Sequence, residues 1–194
     1  MRKMTKSNNG KIFIISGPSG VGKSTVLSKA LEEIVPYYFS ISMTTRKPRE
    51  GERDGRDYIF TDKETFEREI EREGFLEYVE YVGKYYGTPI KPIIDNIENG
   101  VDVFLDIEVV GRGNVVKKFP EAVSVFIMPP SLEELERRLR DRKSGESDDA
   151  ISKRLARAEK EIEHAGEYDY IIVNDDVCRA AKELEEIITK EKSK

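Results

Sequence analysis

The chain has 194 residues, 37% of them charged and 38% hydrophobic, with a formal net charge of −5. This is apolar material enough for one α/β core with a small subdomain, and too much for general disorder. The mild acidity argues against a nucleic-acid-binding surface, no run approaches the length of a membrane span, and the single cysteine, Cys178, excludes an intramolecular disulfide and suits a reducing compartment.

MRKMTKSNNG, residues 1–10, carries cations but no apolar region behind a cleavage site; it is expected to be a flexible tail rather than a signal peptide, and the expected location is the cytoplasm. KIFIIS (11–16), rich in β-branched residues and ended by Gly17-Pro18, predicts a buried strand. From Lys23 to Val35, Val26, Leu27, Ala30, Leu31 and Ile34 recur at helical spacing, and Pro36 closes that helix. YYFSIS (37–42) is a second candidate strand. From Thr44 to Gly87 the chain turns rich in glycine, charge and tyrosine, with strand-like pieces at 57–60, 75–81 and 84–87 and a helix over 62–73 that Asp62 would cap. This texture fits an inserted subdomain with a small sheet.

The strand–helix rhythm then resumes. A helix over 89–99, a strand at VDVFLDI (101–107), a helix over 109–119 despite Gly111 and Gly113, and a strand at AVSVFIM (122–128) follow in turn. Ser131 would cap a helix with Leu132, Leu135 and Leu139 on one face. Beyond the polar break 143–149 come a helix over 148–165, a strand at YDYIIVN (168–174) and a C-terminal helix from about Asp176, whose Lys/Glu-rich character reads as a solvated face. Alternation of this kind implies a parallel sheet with helices on both faces. The lone His164, near a helix end, reads as structural.

GPSGVGKS (17–24) fits the phosphate-loop pattern G-x-x-x-x-G-K-[ST], between a strand and a helix. Glycines let backbone N–H groups converge, and the helix N-terminus adds positive partial charge. Lys23 supplies a cation for the β- and γ-phosphates and Ser24 an oxygen for Mg²⁺. No Asn is followed by Lys and no Gly has Asp three residues before it, so the guanine and γ-phosphate signatures of a GTPase are missing. A short chain with an arginine-rich insert points instead to a kinase with two substrates.

The run SMTTRKPREGERDGRDYIF (42–60), with GPSGVGKST before it and YYGT (85–88), LDIE (105–108) and IVND (172–175) after it, resembles guanylate kinase from about Lys11 to Lys190. The resemblance implies transfer of the γ-phosphoryl group of ATP to GMP, with Mg²⁺, on a P-loop NTPase-type parallel-sheet core with helices on both faces. It also implies a small mixed-sheet GMP-binding insert over 42–88 and a helical lid at about 131–155, within a core of 11–41 and 89–194. Gly17, Pro18, Ser19, Gly20, Val21, Gly22, Lys23, Ser24 and Thr25 would then hold ATP, with Asn174 against its adenine. Arg46 and Arg49 would grip the GMP phosphate with Tyr58 and Tyr86. Ser42, Glu77, Thr88 and Glu108 would read guanine, with Asp106 opening the element that carries Glu108, a position where the family often has Asp. Lys23, Arg46, Arg138, Arg142 and Arg154 would act on the transferring group. No nucleic-acid, membrane or protein partner is implied. The alternative is a non-catalytic guanylate-kinase-like module that binds a phosphorylated protein, a class whose phosphate loop and lid are typically degraded; here both are present.

The chemistry agrees with the resemblance. A phosphate dianion suits the planar fork of arginine. Guanine offers N1–H and N2–H₂ side by side to a carboxylate such as Glu77, whereas adenine presents an acceptor at N1. Pro48 and Gly51 deny the arginine run a helix. Arg53 and Arg56, interleaved with Glu50, Glu52, Asp54 and Asp57, read as solvated, and Thr44 and Thr45 as loop-shaping residues.

Overall fold

The computed structural model describes residues 9–81, 83–141 and 147–194, the side chain of Tyr81 excepted. In chain order the elements are β1 (Ile12–Ser16), α1 (Lys23–Ala30), β2 (Tyr37–Phe39), β3 (Met43–Thr44), β4 (Ile59–Phe60), α2 (Lys63–Glu71), β5 (Phe75–Tyr81) and β6 (Lys84–Pro89). They continue with α3 (Ile90–Glu98), β7 (Asp102–Asp106), α4 (Val109–Lys118), β8 (Val123–Met128), α5 (Leu132–Asp141), α6 (Asp148–Glu163), β9 (Tyr170–Val173) and α7 (Val177–Lys192). One sheet has five strands in the order β2-β7-β1-β8-β9, and the pairings of β2 with β7, β1 with β8 and β8 with β9 are parallel. The other has four, β4-β3-β6-β5, with parallel and antiparallel neighbours. This is the α/β core with a mixed second sheet expected from the sequence.

Several boundaries move. The helix after the phosphate loop ends at Ala30, with Leu31 as its C-cap, five residues short of Val35. The candidate strand 37–42 divides: Tyr37–Phe39 joins the large sheet, and the chain enters the small sheet only at Met43. A run of alternating aromatic, hydroxyl and apolar residues does not reveal where it changes sheet. The capping signals hold, since Asp62 accepts from Thr65 N and the Ser131 hydroxyl from Glu134 N. The helix over Val109–Lys118 forms despite its two glycines.

The chain divides into two compact units. Of the described residues, one comprises those of 9–12, Pro36–Leu105 and Gly113–Glu121; the other comprises those of Phe13–Val35, Asp106–Arg112 and Ala122–Lys194. In the first unit Phe66 of α2 stacks on Phe75 (ring centroids 4.3 Å) and on Tyr85 (5.2 Å). Gly87 allows this close layer, because a Cβ there would meet Phe75, Phe66 and Tyr78 at 2.9–3.0 Å. In the second unit α1 packs on α7, and Leu135 and Leu139 of α5 close on Ile151 and Ala158 of α6. Among the described residues, no helix is long and apolar enough to cross a membrane.

Candidate functional site

The second unit holds the phosphate loop. β1 is buried to its end at Ser16, whose hydroxyl donates to the Ile107 carbonyl (2.7 Å). The loop then turns through Gly20 and Gly22, both left-handed (φ 96° and 94°). A side chain fits at neither: a Cβ on Gly20 would lie 2.6 Å from Leu139 Cδ2, and one on Gly22 2.7 Å from Asn174 Nδ2. Gly22 caps α1 without a side chain, and the first turn of α1 holds no acidic residue. The helix therefore keeps its amide donors and positive partial charge for an external anion.

Lys23 bends back over this loop. Its Nζ donates to the Gly17 carbonyl (2.7 Å) and lies 3.8 Å from Asp106 Oδ1. Although 33% of the Asp106 side chain meets solvent, the surrounding protein removes enough water to push its carboxyl above the ordinary range; Lys23 opposes the shift and Glu108 adds to it. Ser24 and Thr25 are exposed on the first turn of α1.

The arginines of α5 divide by direction. Arg137 pairs with Glu134 and Asp141, and Arg140 with Glu136 and Asp148, all on the helical surface. Arg138 turns inward. Its Nε donates to Glu134 Oε1 (2.7 Å), its Nη1 to the Val21 carbonyl (3.3 Å) and its Nη2 to the Asn174 carbonyl (3.0 Å). Bonds from Arg137 and then Arg138 hold the Glu134 carboxyl down at about 2. From α6, Arg154 Nη2 donates to the Ser19 hydroxyl (2.6 Å). Arg142, the third lid arginine expected, lies outside the described residues. Asn174 is 1% exposed; its Nδ2 donates to the Val21 carbonyl (2.7 Å), while its Oδ1 is buried without a hydrogen-bond partner. That acceptor suits a donor such as an exocyclic amino group.

Four of the candidate acceptor-site residues on the phosphate side, Arg46, Arg49, Tyr58 and Tyr86, belong to the first unit. Arg46 makes a bidentate pair with Glu52 (Nη1–Oε2 2.8 Å, Nη2–Oε1 2.9 Å) and donates to the Lys47 carbonyl (2.8 Å). Its guanidinium lies 5.2 Å from the Tyr58 ring centre, and Tyr58 and Tyr86 meet edge to face at 6.2 Å. Arg49 joins through its backbone N–H, which donates to Glu52 Oε2 (2.7 Å). Glu52 is thus the organiser of the arginine loop, and these bonds, that of Arg46 foremost, lower its pKa. Its place among interleaved acids hid it in the sequence; the one local signal was its position three residues after Arg49 and six after Arg46. Arg56 pairs with the adjacent Asp57 (2.8 Å), as a solvated loop residue would.

The two threonines that lead into the arginines tie the loop to β6. The buried Thr44 donates through Oγ1 to the Tyr85 carbonyl (2.9 Å) and accepts from Arg46 N (3.2 Å). Thr45 Oγ1 accepts from Tyr85 N (2.9 Å). On the same sheet Glu77 faces Thr88 in register, and the Thr88 hydroxyl, 1% exposed, donates to Glu77 Oε1 (2.6 Å). Ser42 precedes Met43, which pairs with Gly87, so it runs alongside Thr88. Asp106 and Glu108 belong to the second unit, where Glu108 Oε1 pairs with Arg157 Nη2 (2.6 Å).

A parallel sheet, a glycine loop feeding a helix, an invading lysine and two arginines turned to that loop define a P-loop nucleotide-binding protein. The chain matches the family described as Guanylate kinase over residues 9–191. It is 49% identical over 187 residues to the guanylate kinase of Latilactobacillus sakei subsp. sakei (strain 23K), covering 95% of this chain and 91% of that protein. It also resembles the crystal structure of guanylate kinase from Anaplasma phagocytophilum, with a TM-score of 0.76 and 39% identity, covering 96% of this chain and 88% of that one. The chain belongs to the guanylate kinase family.

Proposed function

We propose that the residues gathered in the two units carry out one phosphoryl transfer. Membership of the guanylate kinase family makes the chain an ATP:GMP phosphotransferase, which moves the γ-phosphoryl group of ATP to GMP and gives ADP and GDP. The observation that carries the assignment of roles is the setting of Arg46: Glu52 holds its guanidinium in a bidentate pair beside the Tyr58 ring, which leaves its remaining donors aimed for a phosphate dianion.

In this reading the loop from Gly17 to Thr25 and the N-terminus of α1 bind the triphosphate, Lys23 leaves the Gly17 carbonyl for the β- and γ-phosphates, and Asn174 Oδ1 accepts from adenine. Arg138 and Arg154 already reach the loop and neutralise charge that spreads over the equatorial oxygens as the phosphoryl group moves; Arg142 completes the set. Arg46, Arg49, Tyr58 and Tyr86 orient the GMP phosphate, itself the nucleophile, so no catalytic base is required. Glu77, Thr88, Ser42 and Glu108 read the base, with Asp106 beside Lys23. Residues 42–88 act as the GMP-binding insert, and about 131–155 as the lid whose closure excludes water.

Mg²⁺ fits the donor set. Among the described residues there is no cluster of carboxylates or imidazoles that would hold a metal alone, as expected for an ion that phosphates and water largely coordinate. The exposed Ser24 hydroxyl on the first turn of α1 would be its protein ligand. Held there, the ion would supply positive charge to offset that of the triphosphate. The protein works in the cytoplasm on GMP and ATP, without a nucleic-acid, membrane or protein partner. Arg46→Ala tests the site map: the KM for GMP rises while ATP affinity stays nearly unchanged. A loss of ATP affinity with an unaltered KM for GMP refutes it.

A further inference from the structure

We propose that Arg157 is a positioning residue for Glu108 and, through it, for recognition of the acceptor nucleotide; this rests on the reading of Glu108 as a guanine contact. The Glu108 backbone is fixed, since its carbonyl accepts from Arg112 N at the start of α4 (3.1 Å). Its side chain is not fixed by burial: 70% of it is exposed, which leaves its rotors to be held by a partner. Arg157 Nη2 supplies that partner at 2.6 Å from Oε1.

Arg157 is itself anchored. Its Nε donates to Glu161 Oε1 one turn on (2.9 Å), and the Glu161 side chain is 17% exposed. The guanidinium is thereby aimed with one edge held and another presented to Glu108, which a fork of donors allows and a single ammonium does less well. The helix beneath is fixed too, because Ile151 and Ala158 bury against Leu135 and Leu139 of α5. Arg154 lies three residues before Arg157, so both project from one face. One reaches Ser19 in the phosphate loop and the other reaches Glu108. A single helix face therefore sets an arginine at the donor nucleotide and a carboxylate for the acceptor base, and a movement of α6 shifts both.

Steady-state kinetics of the full chain test this, with circular dichroism to check each fold. Arg157→Ala is expected to raise the KM for GMP about three- to fivefold, the upper end of what one exposed charge pair contributes, with kcat and the KM for ATP held within about twofold of the parent. Arg157→Lys recovers part of the loss. Glu108→Gln raises the KM for GMP, and adding Arg157→Ala to it costs nothing more, because the two act through one contact. Additive losses, or an Arg157→Ala effect on ATP in place of GMP, overturn the positioning role. A raised KM for Glu108→Gln beside an unchanged one for Arg157→Ala overturns that role alone. An unchanged KM for Glu108→Gln overturns the guanine reading of Glu108 and this inference with it.

Discussion

Replacing Glu77 by Gln changes one atom of the side chain and should change the substrate preference. Glu77 sits opposite Thr88 across β5 and β6, and the buried Thr88 hydroxyl donates to Oε1 at 2.6 Å. In Glu77→Gln the amide oxygen keeps the Thr88 bond and, on the proposed reading, the amino group turns to the N1–H and N2–H₂ of guanine, both donors. A hydrogen bond to a charged acceptor contributes about 1.5–3 kcal/mol net. Losing one of two such bonds and placing donor against donor gives a loss of about 3 kcal/mol, or about a hundredfold in kcat/KM for GMP at 1.36 kcal/mol per factor of ten. The backbone pairing of the strands is untouched, so the fold should survive. The assay follows ADP release with GMP and AMP as acceptors, together with the KM for ATP. Activity with AMP should not fall. A kcat/KM for GMP within about threefold of the parent, or an equal loss in ATP affinity, refutes the reasoning.

Lys23→Ala should lower kcat on the order of a thousandfold or more with the circular dichroism spectrum unchanged, since on the proposed reading it removes the cation at the transferring phosphate; single-turnover measurements would show it. Glu52→Ala should raise the KM for GMP nearly as far as Arg46→Ala does, because the bidentate pair sets the Arg46 fork; a variant that changes only the melting temperature contradicts this. Asp106 has a raised pKa in the folded protein. Its ionisation therefore opposes folding: its contribution is most favourable below the unfolded pKa, about 3.9, and is lost as the pH rises through the folded value. Asp106→Asn should accordingly raise the melting temperature at pH 7, and that advantage should shrink as the pH falls toward 4, while activity drops.

Legibility followed distance along the chain. The phosphate loop could be read because its glycines, lysine and serine are contiguous, and the structure adds the reason for Gly22, the Asn174 amide that a Cβ would strike. Thr44 and Thr45 were readable as loop-shaping residues, though not their partner Tyr85, some forty residues on. Among four arginines within six positions, nothing local separates Arg138 from Arg137 and Arg140; the direction each takes depends on Val21 and Asn174, which are far away in sequence. Glu52 resembled its neighbours Glu50 and Asp54 because an organising carboxylate and a solvated one have the same local composition. The pairing of Glu108 with Arg157 spans two elements and has no sequence signature at all. The short strand Met43–Thr44 was missed for a related reason: two residues carry no period.

The claim that the two units serve one ATP:GMP transfer is tested most directly by ADP release from ATP and Mg²⁺ with GMP, AMP, UMP or dTMP as acceptor. GMP should be used with a kcat/KM on the order of 10⁴ above that for AMP, as a site built to pair with a base's hydrogen-bonding edge allows, and UMP and dTMP should be poor acceptors. Equal turnover of AMP and GMP contradicts the claim, as does an absence of turnover and ATP binding in a chain that binds a phosphopeptide.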